Sequence, residues 1–117
     1  MTAVATHEVF AALGEPHREA LIDLLASRGN ASATSLAEAF SVTRQAVDKH
    51  LRVLQRAGLV TTQRVGREVL YDVRRDEFER CADWLQQVAA TWDRRLEQVK
   101  ALAESDERDR PDLTGPG

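Results

Sequence analysis

The chain has 117 residues, of which 43% are hydrophobic and 30% charged, and its formal net charge is −3. These values predict one small globular domain. No stretch approaches the roughly 18 apolar residues of a membrane span, and the N-terminus lacks the pattern of a signal peptide, so we expect neither membrane insertion nor secretion. A single cysteine, Cys81, forms no disulfide within the chain, which fits a reducing cytoplasm.

The first part of the chain predicts two helices. A short apolar stripe that includes Phe10 and Leu13 ends at Gly14, and Pro16 suits the first turn of the next helix, which is expected to run to about Ser27. The apolar residues of this second helix recur at helical spacing and are predicted to be core. They are Ala20, Leu21, Leu24 and Leu25.

The next segment predicts two short helices joined by a tight turn. A helix of two turns follows the loop-like residues 27–34, with Ser32 or Thr34 as its N-cap, and Thr43 is placed to cap another helix over residues 44–56. The second of these helices has one apolar and one basic side, which is the pattern of a helix-turn-helix. The apolar side contains Ala46, Val47, Leu51 and Leu54, and the outer side carries Arg44, Gln45, Asp48, Lys49, Arg52 and Arg56.

After Gly58 the hydrophobic period changes from that of a helix to that of a strand. The segments LVTTQR and REVLYDV are rich in β-branched residues and flank Val65-Gly66, which predicts a β-hairpin. A hairpin directly after the basic helix is a wing. Its inward face is predicted to hold Val69, Tyr71 and Val73, and its tip to hold Gln63, Arg64 and Arg67.

A long helix is predicted from about Asp76 to Ala103. At a rise of about 1.5 Å per residue it spans roughly 42 Å, which is too long for a domain of this size to cover alone. Part of its apolar stripe is therefore expected to contact a second copy of the chain. Residues 104–117 are expected to be a disordered acidic tail, which leaves residues 1–103 as the folded domain. The stripe consists of Phe78, Cys81, Leu85, Val88, Trp92, Leu96, Val99 and Leu102.

Charge is distributed unevenly along the chain. Residues 41–75 contain eight Arg and Lys residues against three acidic ones, whereas residues 104–117 contain five acidic residues against two Arg. A basic centre within an acidic protein favours a polyanionic partner, although solvated helix faces are the alternative.

In their order and spacing these segments resemble the arsenic-repressor (ArsR) family of winged helix-turn-helix regulators. FAALGEPHREALIDLLA resembles the opening helices of that family, AVDKHLRVLQRAGLV its recognition helix, and REVLYDV its returning strand. The resemblance implies a mainly α fold of about five helices with a small β-hairpin as a two-stranded wing. It also implies a cytoplasmic homodimer of bacterial type that binds an imperfectly palindromic operator in double-stranded DNA and usually represses it, in some members on its own promoter.

The same resemblance assigns the dimer interface to the first and last helices. It comprises Phe10, Leu13, Phe78, Cys81, Leu85, Val88, Trp92, Leu96 and Val99. Cys81 has two further interpretations, a small buried thiol or a redox-sensitive contact between subunits. Trp84 and Trp92 are expected in the dimer core, and a small-molecule pocket between the long helices is the alternative.

The basic helix supplies the candidate DNA contacts. Arg44 and Gln45 lie in its first turn, where Arg suits the O6 and N7 atoms of guanine and Gln suits the N6 and N7 atoms of adenine. Asp48, an anion on this face, either pairs with Arg44 or Arg52 or accepts from a cytosine amino group, and we favour the pair. His50 contacts a phosphate or packs beside Leu51. Phosphate contacts are predicted for Thr43, Lys49 and Arg52, and contacts to the flanking backbone or minor groove for Arg64 and Arg67.

Neither metal site known in the family has its ligands here. The loop ASATSLAEAF has no Cys or His, and residues 76–103 contain no His. The three histidines, His7, His17 and His50, are scattered along the chain, so we predict no metal or other cofactor and no regulation through either site. Whether a small-molecule effector exists is unknown from the sequence.

The predicted function is a sequence-specific, DNA-binding repressor. The alternative is a winged-helix module that binds a protein partner, but the TRQ segment at residues 43–45 offers groups that read base edges rather than aromatic or aliphatic anchors. An enzyme is not predicted, because no nucleophile with a base, phosphate-binding loop or carboxylate pair stands out.

Overall fold

The computed structural model describes residues 5–109, with side-chain burial described to residue 106. The described part divides into two compact units, one of residues up to Cys81 and one of residues from Ala82 onward. None of the described helices has the length and apolar character that a membrane span requires. The elements are α1 (Thr6–Leu13), α2 (Pro16–Arg28), β1 (Ala31–Ser32), α3 (Ala33–Phe40), α4 (Arg44–Arg56), β2 (Val60–Val65), β3 (Glu68–Val73) and α5 (Arg75–Asp109).

Side-chain caps start the three central helices. The Glu15 carboxylate accepts from the backbone N–H of Arg18 at 2.9 Å ahead of α2, where Pro16 occupies the first turn. Ser32, rather than Thr34, caps α3, since its hydroxyl accepts from the N–H of Ser35 at 3.1 Å. Each cap satisfies a backbone donor that has no partner within its own helix.

The turn between α3 and α4 is short because its first residue adopts a left-handed conformation. Ser41 has φ 55°, and the N–H of Val42 donates to the carbonyl of Ala37 at 3.1 Å, which closes the end of α3. Thr43 then caps α4, its hydroxyl accepting from the N–H of Ala46 at 3.1 Å. The two helices thus follow one another with three intervening residues, as a helix-turn-helix requires.

The predicted two-stranded wing is confirmed as the hairpin of β2 and β3, and in the described part of the chain a third antiparallel strand extends it in the order β1-β3-β2. The hairpin of β2 and β3 pairs Val60 with Val73 and Val65 with Glu68, and Gly66 turns with φ 62°. The added strand, β1, pairs Ala31 with Tyr71. The strand β1 lies within residues 27–34, which were predicted to be a loop, so that prediction was wrong for Ala31 and Ser32. A strand of two residues is too short to show a hydrophobic period, and only its pairing with β3 reveals it.

The core of the first unit lies where α1, α2, α3 and α4 meet the base of the sheet. Val47, Leu51 and Leu54 of α4 are buried as predicted, but Ala46 is exposed, which narrows the apolar side of this helix. Val69 is also exposed, at 41%, because it lies near the free end of the hairpin, whereas Tyr71 and Val73 pack against the core. The most deeply buried side chains are Val9, Leu25, Leu36, Leu51, Leu54 and Leu59.

The second unit consists of the remainder of α5. Its apolar stripe is exposed within the single chain, with Trp92 54% accessible and Val99 56%. The helix continues to Asp109, so residues 104–109, predicted as the start of a disordered tail, are helical instead. The rest of the predicted tail lies outside the described residues.

The cap on α3 is testable by urea denaturation. Ser32→Ala is expected to lower the free energy of unfolding by about 1 kcal/mol, because the N–H of Ser35 loses its acceptor. The matched control is Thr34→Ala, an exposed position of the same helix, whose effect should stay within about 0.5 kcal/mol. Equal losses in the two variants would contradict the assignment of the cap.

Candidate nucleic-acid interface

One side of α4 is basic and open to solvent. Because Val47, Leu51 and Leu54 are buried, the opposite side of the helix is directed outward. Except for His50, the residues of this helix predicted to contact DNA lie on that outward side and are therefore exposed. The side chain of Arg44 is 68% exposed. Exposed with it are Thr43, Gln45, Lys49, Arg52 and Arg56.

Asp48 makes the ion pair that was favoured from the sequence, and its partner is Arg44. The Nε atom of Arg44 lies 3.8 Å from an Asp48 carboxylate oxygen, one helical turn away. Because both side chains are solvent-accessible, the pair adds little to stability. Its importance is electrostatic, since Asp48 offsets one cation on a surface that is otherwise basic.

The start of α4 and the wing share a surface depression. A cavity of about 170 Å³ is lined by Arg44 of α4, by Arg67 and Val69 of the hairpin, and by Thr34 of α3. Arg64 of β2 is paired across the hairpin with Val69. Two of the cations predicted to contact DNA, Arg44 and Arg67, thus border one concave surface despite being 23 positions apart in the sequence.

His50 differs from the other predicted contact residues because it faces inward. Its side chain is 24% exposed, and its Nδ1 atom is buried 3.7 Å from a carboxylate oxygen of Glu15. The ring stacks on that of His17 at a centroid distance of 5.5 Å and an interplanar angle of 8°. The prediction that the histidines are scattered is therefore wrong for His17 and His50, because the fold brings α2 against α4.

The ionised carboxylate of Glu15 lies beside the Nδ1 atoms of both rings. The hydrogen bond from the Nδ1 atom of His17, at 2.6 Å, together with backbone hydrogen bonds from Arg18 and His17, lowers the pKa of Glu15 to about 2. Glu15 and His17 were not among the predicted site residues. The only signal in the sequence was their position on either side of Pro16, where a helix begins.

The residues predicted for the dimer interface fall into two groups. Cys81 is 6% exposed in the core of its own chain, and Phe78 packs against that core. The second group is solvent-accessible and comprises Phe10, Leu85, Val88, Trp92, Leu96 and Val99, while Leu13 is partly buried. A shallow cavity of about 360 Å³ on α5 is lined by Trp84, Trp92 and Arg95 among others.

A helix-turn-helix followed at once by a hairpin, with exposed cations on both, defines a winged helix-turn-helix DNA-binding protein. Comparison with known proteins agrees. A family model described as a helix-turn-helix domain matches residues 13–63. A solved ArsR-like transcriptional regulator from Rhodococcus sp. RHA1 is 41% identical, with a TM-score of 0.74 over 84% of this chain and 92% of that one.

Two further relatives carry informative descriptions. The transcriptional repressor SdpR of Bacillus subtilis is 27% identical over 79 residues, which is 68% of this chain and 87% of SdpR. The homodimeric winged helix-turn-helix domain of a possible ArsR-family regulator from Mycobacterium bovis is 27% identical, with a TM-score of 0.59 over 72% of this chain and 77% of that domain. The chain belongs to the ArsR family and is a DNA-binding transcriptional regulator.

The charge of Asp48 provides a test of this surface. Asp48→Asn is expected to raise affinity for every DNA sequence by about 3- to 5-fold, because two unit charges about 4 Å apart in water interact by about 1 kcal/mol. Fluorescence anisotropy with specific and random duplexes measures the change, and Asp23→Asn, an exposed position on α2, is the control. A loss of affinity limited to one sequence would show instead that Asp48 accepts from a base.

Proposed function

We propose that the chain is a homodimeric repressor that binds a pseudo-palindromic operator through two copies of α4. The single observation that carries the proposal is the exposed basic side of α4, where Arg44, Gln45 and Lys49 lie opposite the buried apolar residues of the helix. Repression is supported by the similarity to SdpR, which is a transcriptional repressor. The bound dimer would repress by occupying promoter DNA and so excluding RNA polymerase. The promoter of the gene that encodes this chain is a reasonable target.

The contacts divide between reading and positioning. Arg44 and Gln45 in the first turn of α4 enter the major groove and read base edges. Thr43, Lys49 and Arg52 contact phosphates, which position the helix without selecting a sequence. Arg64 and Arg67 on the wing reach the flanking backbone or minor groove. His50 contributes less to DNA binding than these residues, because its Nδ1 atom is buried against Glu15.

The second subunit is proposed to cover the exposed stripe of α5, together with Phe10 of α1. A face on which Leu85, Val88 and Trp92 are each about half exposed is costly to leave in water. The relative from Mycobacterium bovis is described as homodimeric. Two recognition helices related by a two-fold axis would then enter successive major grooves about 34 Å apart.

The mode of action is binding rather than catalysis, and the place of action is the bacterial cytoplasm, where the chromosome lies. The family consists of transcriptional regulators, and the polar groups of the α4 surface suit base edges and phosphates.

Selection of bound sequences from a random duplex pool, at about 150 mM salt, tests the operator. We expect an inverted repeat with half-sites one helical turn apart or a multiple of it.

On that repeat, Arg44→Ala should cost about 1–3 kcal/mol of binding free energy and relax base preference, whereas Lys49→Ala should weaken binding to all sequences alike and lower the salt slope by about 1. Recovery of no motif, or equal losses for Arg44→Ala on specific and random DNA, would contradict the proposal.

The dimer is tested by placing a charge on α5. Val88→Asp is expected to give a monomer in sedimentation velocity, because a carboxylate would be buried at the interface. Affinity for paired half-sites should fall by about 100-fold or more, since the two heads no longer bind together. Gln86→Asp, an exposed polar position nearby, is the control and should stay dimeric. A dimer that survives Val88→Asp would move the interface away from this stripe.

A further inference from the structure

Glu15, His17 and His50 form a compact group of metal-ligating side chains within the first unit. Each offers one ligand atom, and these atoms lie within 4.8 Å of one another. Glu15 and His17 come from the start of α2, and His50 comes from the middle of α4. The group therefore joins the recognition helix to the helix that packs behind it.

The contacts within the group leave His50 incompletely satisfied. Its Nδ1 atom is buried and has no hydrogen-bond partner among the residues that the structure describes. The nearest carboxylate oxygen, on Glu15, is 3.7 Å away, which is beyond hydrogen-bond distance. Buried polar atoms without a hydrogen bond are rare in folded proteins, so this nitrogen indicates a place for a further ligand.

The observed separations are compatible with a metal ion after a small rearrangement. With metal–ligand bonds of about 2.0–2.1 Å, neighbouring ligands of a tetrahedral ion are about 3.3 Å apart. The Nδ1 atom of His17 lies 2.6 Å from one oxygen of Glu15, and the Nδ1 atom of His50 lies 3.7 Å from the other oxygen. One ligand atom from each of the three side chains lies within 4.8 Å of the other two, so the ligands must move by about 1 Å to reach the tetrahedral separation. Since the two rings are stacked, one of them must turn to aim at the ion. His17, whose side chain is 73% exposed, has the space to do so.

We propose that Glu15, His17 and His50 bind a divalent transition metal ion of the zinc class. Two imidazoles and one carboxylate suit borderline ions such as Zn²⁺, and three protein ligands leave the remaining position to water. The ion would replace the proton that His17 now shares with Glu15. The site contains no Cys and no residue of the last helix. It therefore differs from the two metal sites known in the family.

Charge at the site favours a cation. Glu15 supplies a carboxylate, the acidic ligand of the group, beside the two imidazoles. Its second oxygen also accepts from the N–H of Arg18, which orients the carboxylate as partners of metal ligands commonly do. A bound ion would cross-link α2 and α4 in the native state only, so it should raise thermal stability.

Isothermal titration calorimetry of the full chain without a polyhistidine tag, with a Zn²⁺ salt as the probe, tests the site. We expect one ion per chain and a rise in Tm on adding Zn²⁺. Because loss of residues that only support metal ligands already costs about 10- to 100-fold in affinity, His17→Gln should cost at least that much. His7→Gln removes another exposed histidine, outside the group, and should bind as the unaltered chain does.

The exposure of His17 keeps the test interpretable, because its substitution leaves the core intact. Glu15→Gln is the second variant, since its amide oxygen still accepts from the N–H of Arg18 while the charge is lost, and it should also weaken Zn²⁺ binding at least tenfold. Absence of saturable binding, or equal affinity in the unaltered chain and His17→Gln, would overturn the proposal. So would a loss in His7→Gln as large as that in His17→Gln.

Discussion

The burial of one side of α4 is the constraint on which the DNA-facing surface depends. Val47 is 2% exposed, and Leu51 and Leu54 are fully buried against α2, α3 and the base of the sheet. A helix has only one rotational setting that buries these three positions, so the residues between them are directed outward. The exposure of Arg44, Lys49 and Arg52 follows from core packing.

Short connections on each side of α4 carry that orientation into the rest of the domain. Ser41, in the left-handed conformation, reverses the chain so closely that α3 packs directly on α4. Gly58, also with positive φ at 76°, ends the helix, and the N–H of Leu59 donates to the carbonyl of Leu54. The hairpin begins two residues after Gly58, which is why a cation at its turn, Arg67, lies beside the first turn of α4. The first turn of α4 and the turn of the hairpin therefore border one surface depression.

Glu15 connects several of these features through one carboxylate. It caps α2, accepts from His17, and lies beside the buried nitrogen of His50 on α4. The low pKa of Glu15 means that this carboxylate stays charged wherever the protein is folded under ordinary conditions. A ligand bound between Glu15 and His50 would contact α4 on the side where α2 packs against it.

Local patterns in the sequence determined the helices, the hairpin, the helix-turn-helix and the basic side of α4. Hydrophobic period, caps and glycines act over a few residues, so the boundaries of α4 and the pair of Asp48 with Arg44 were predictable. Local patterns did not predict strand β1, the exposure of Ala46 and Val69, or the helical state of residues 104–109. The meeting of Glu15, His17 and His50 was decided by tertiary structure alone. It depends on how α2 packs against α4, and the distance between residues 33 positions apart is set by the whole core rather than by any local pattern.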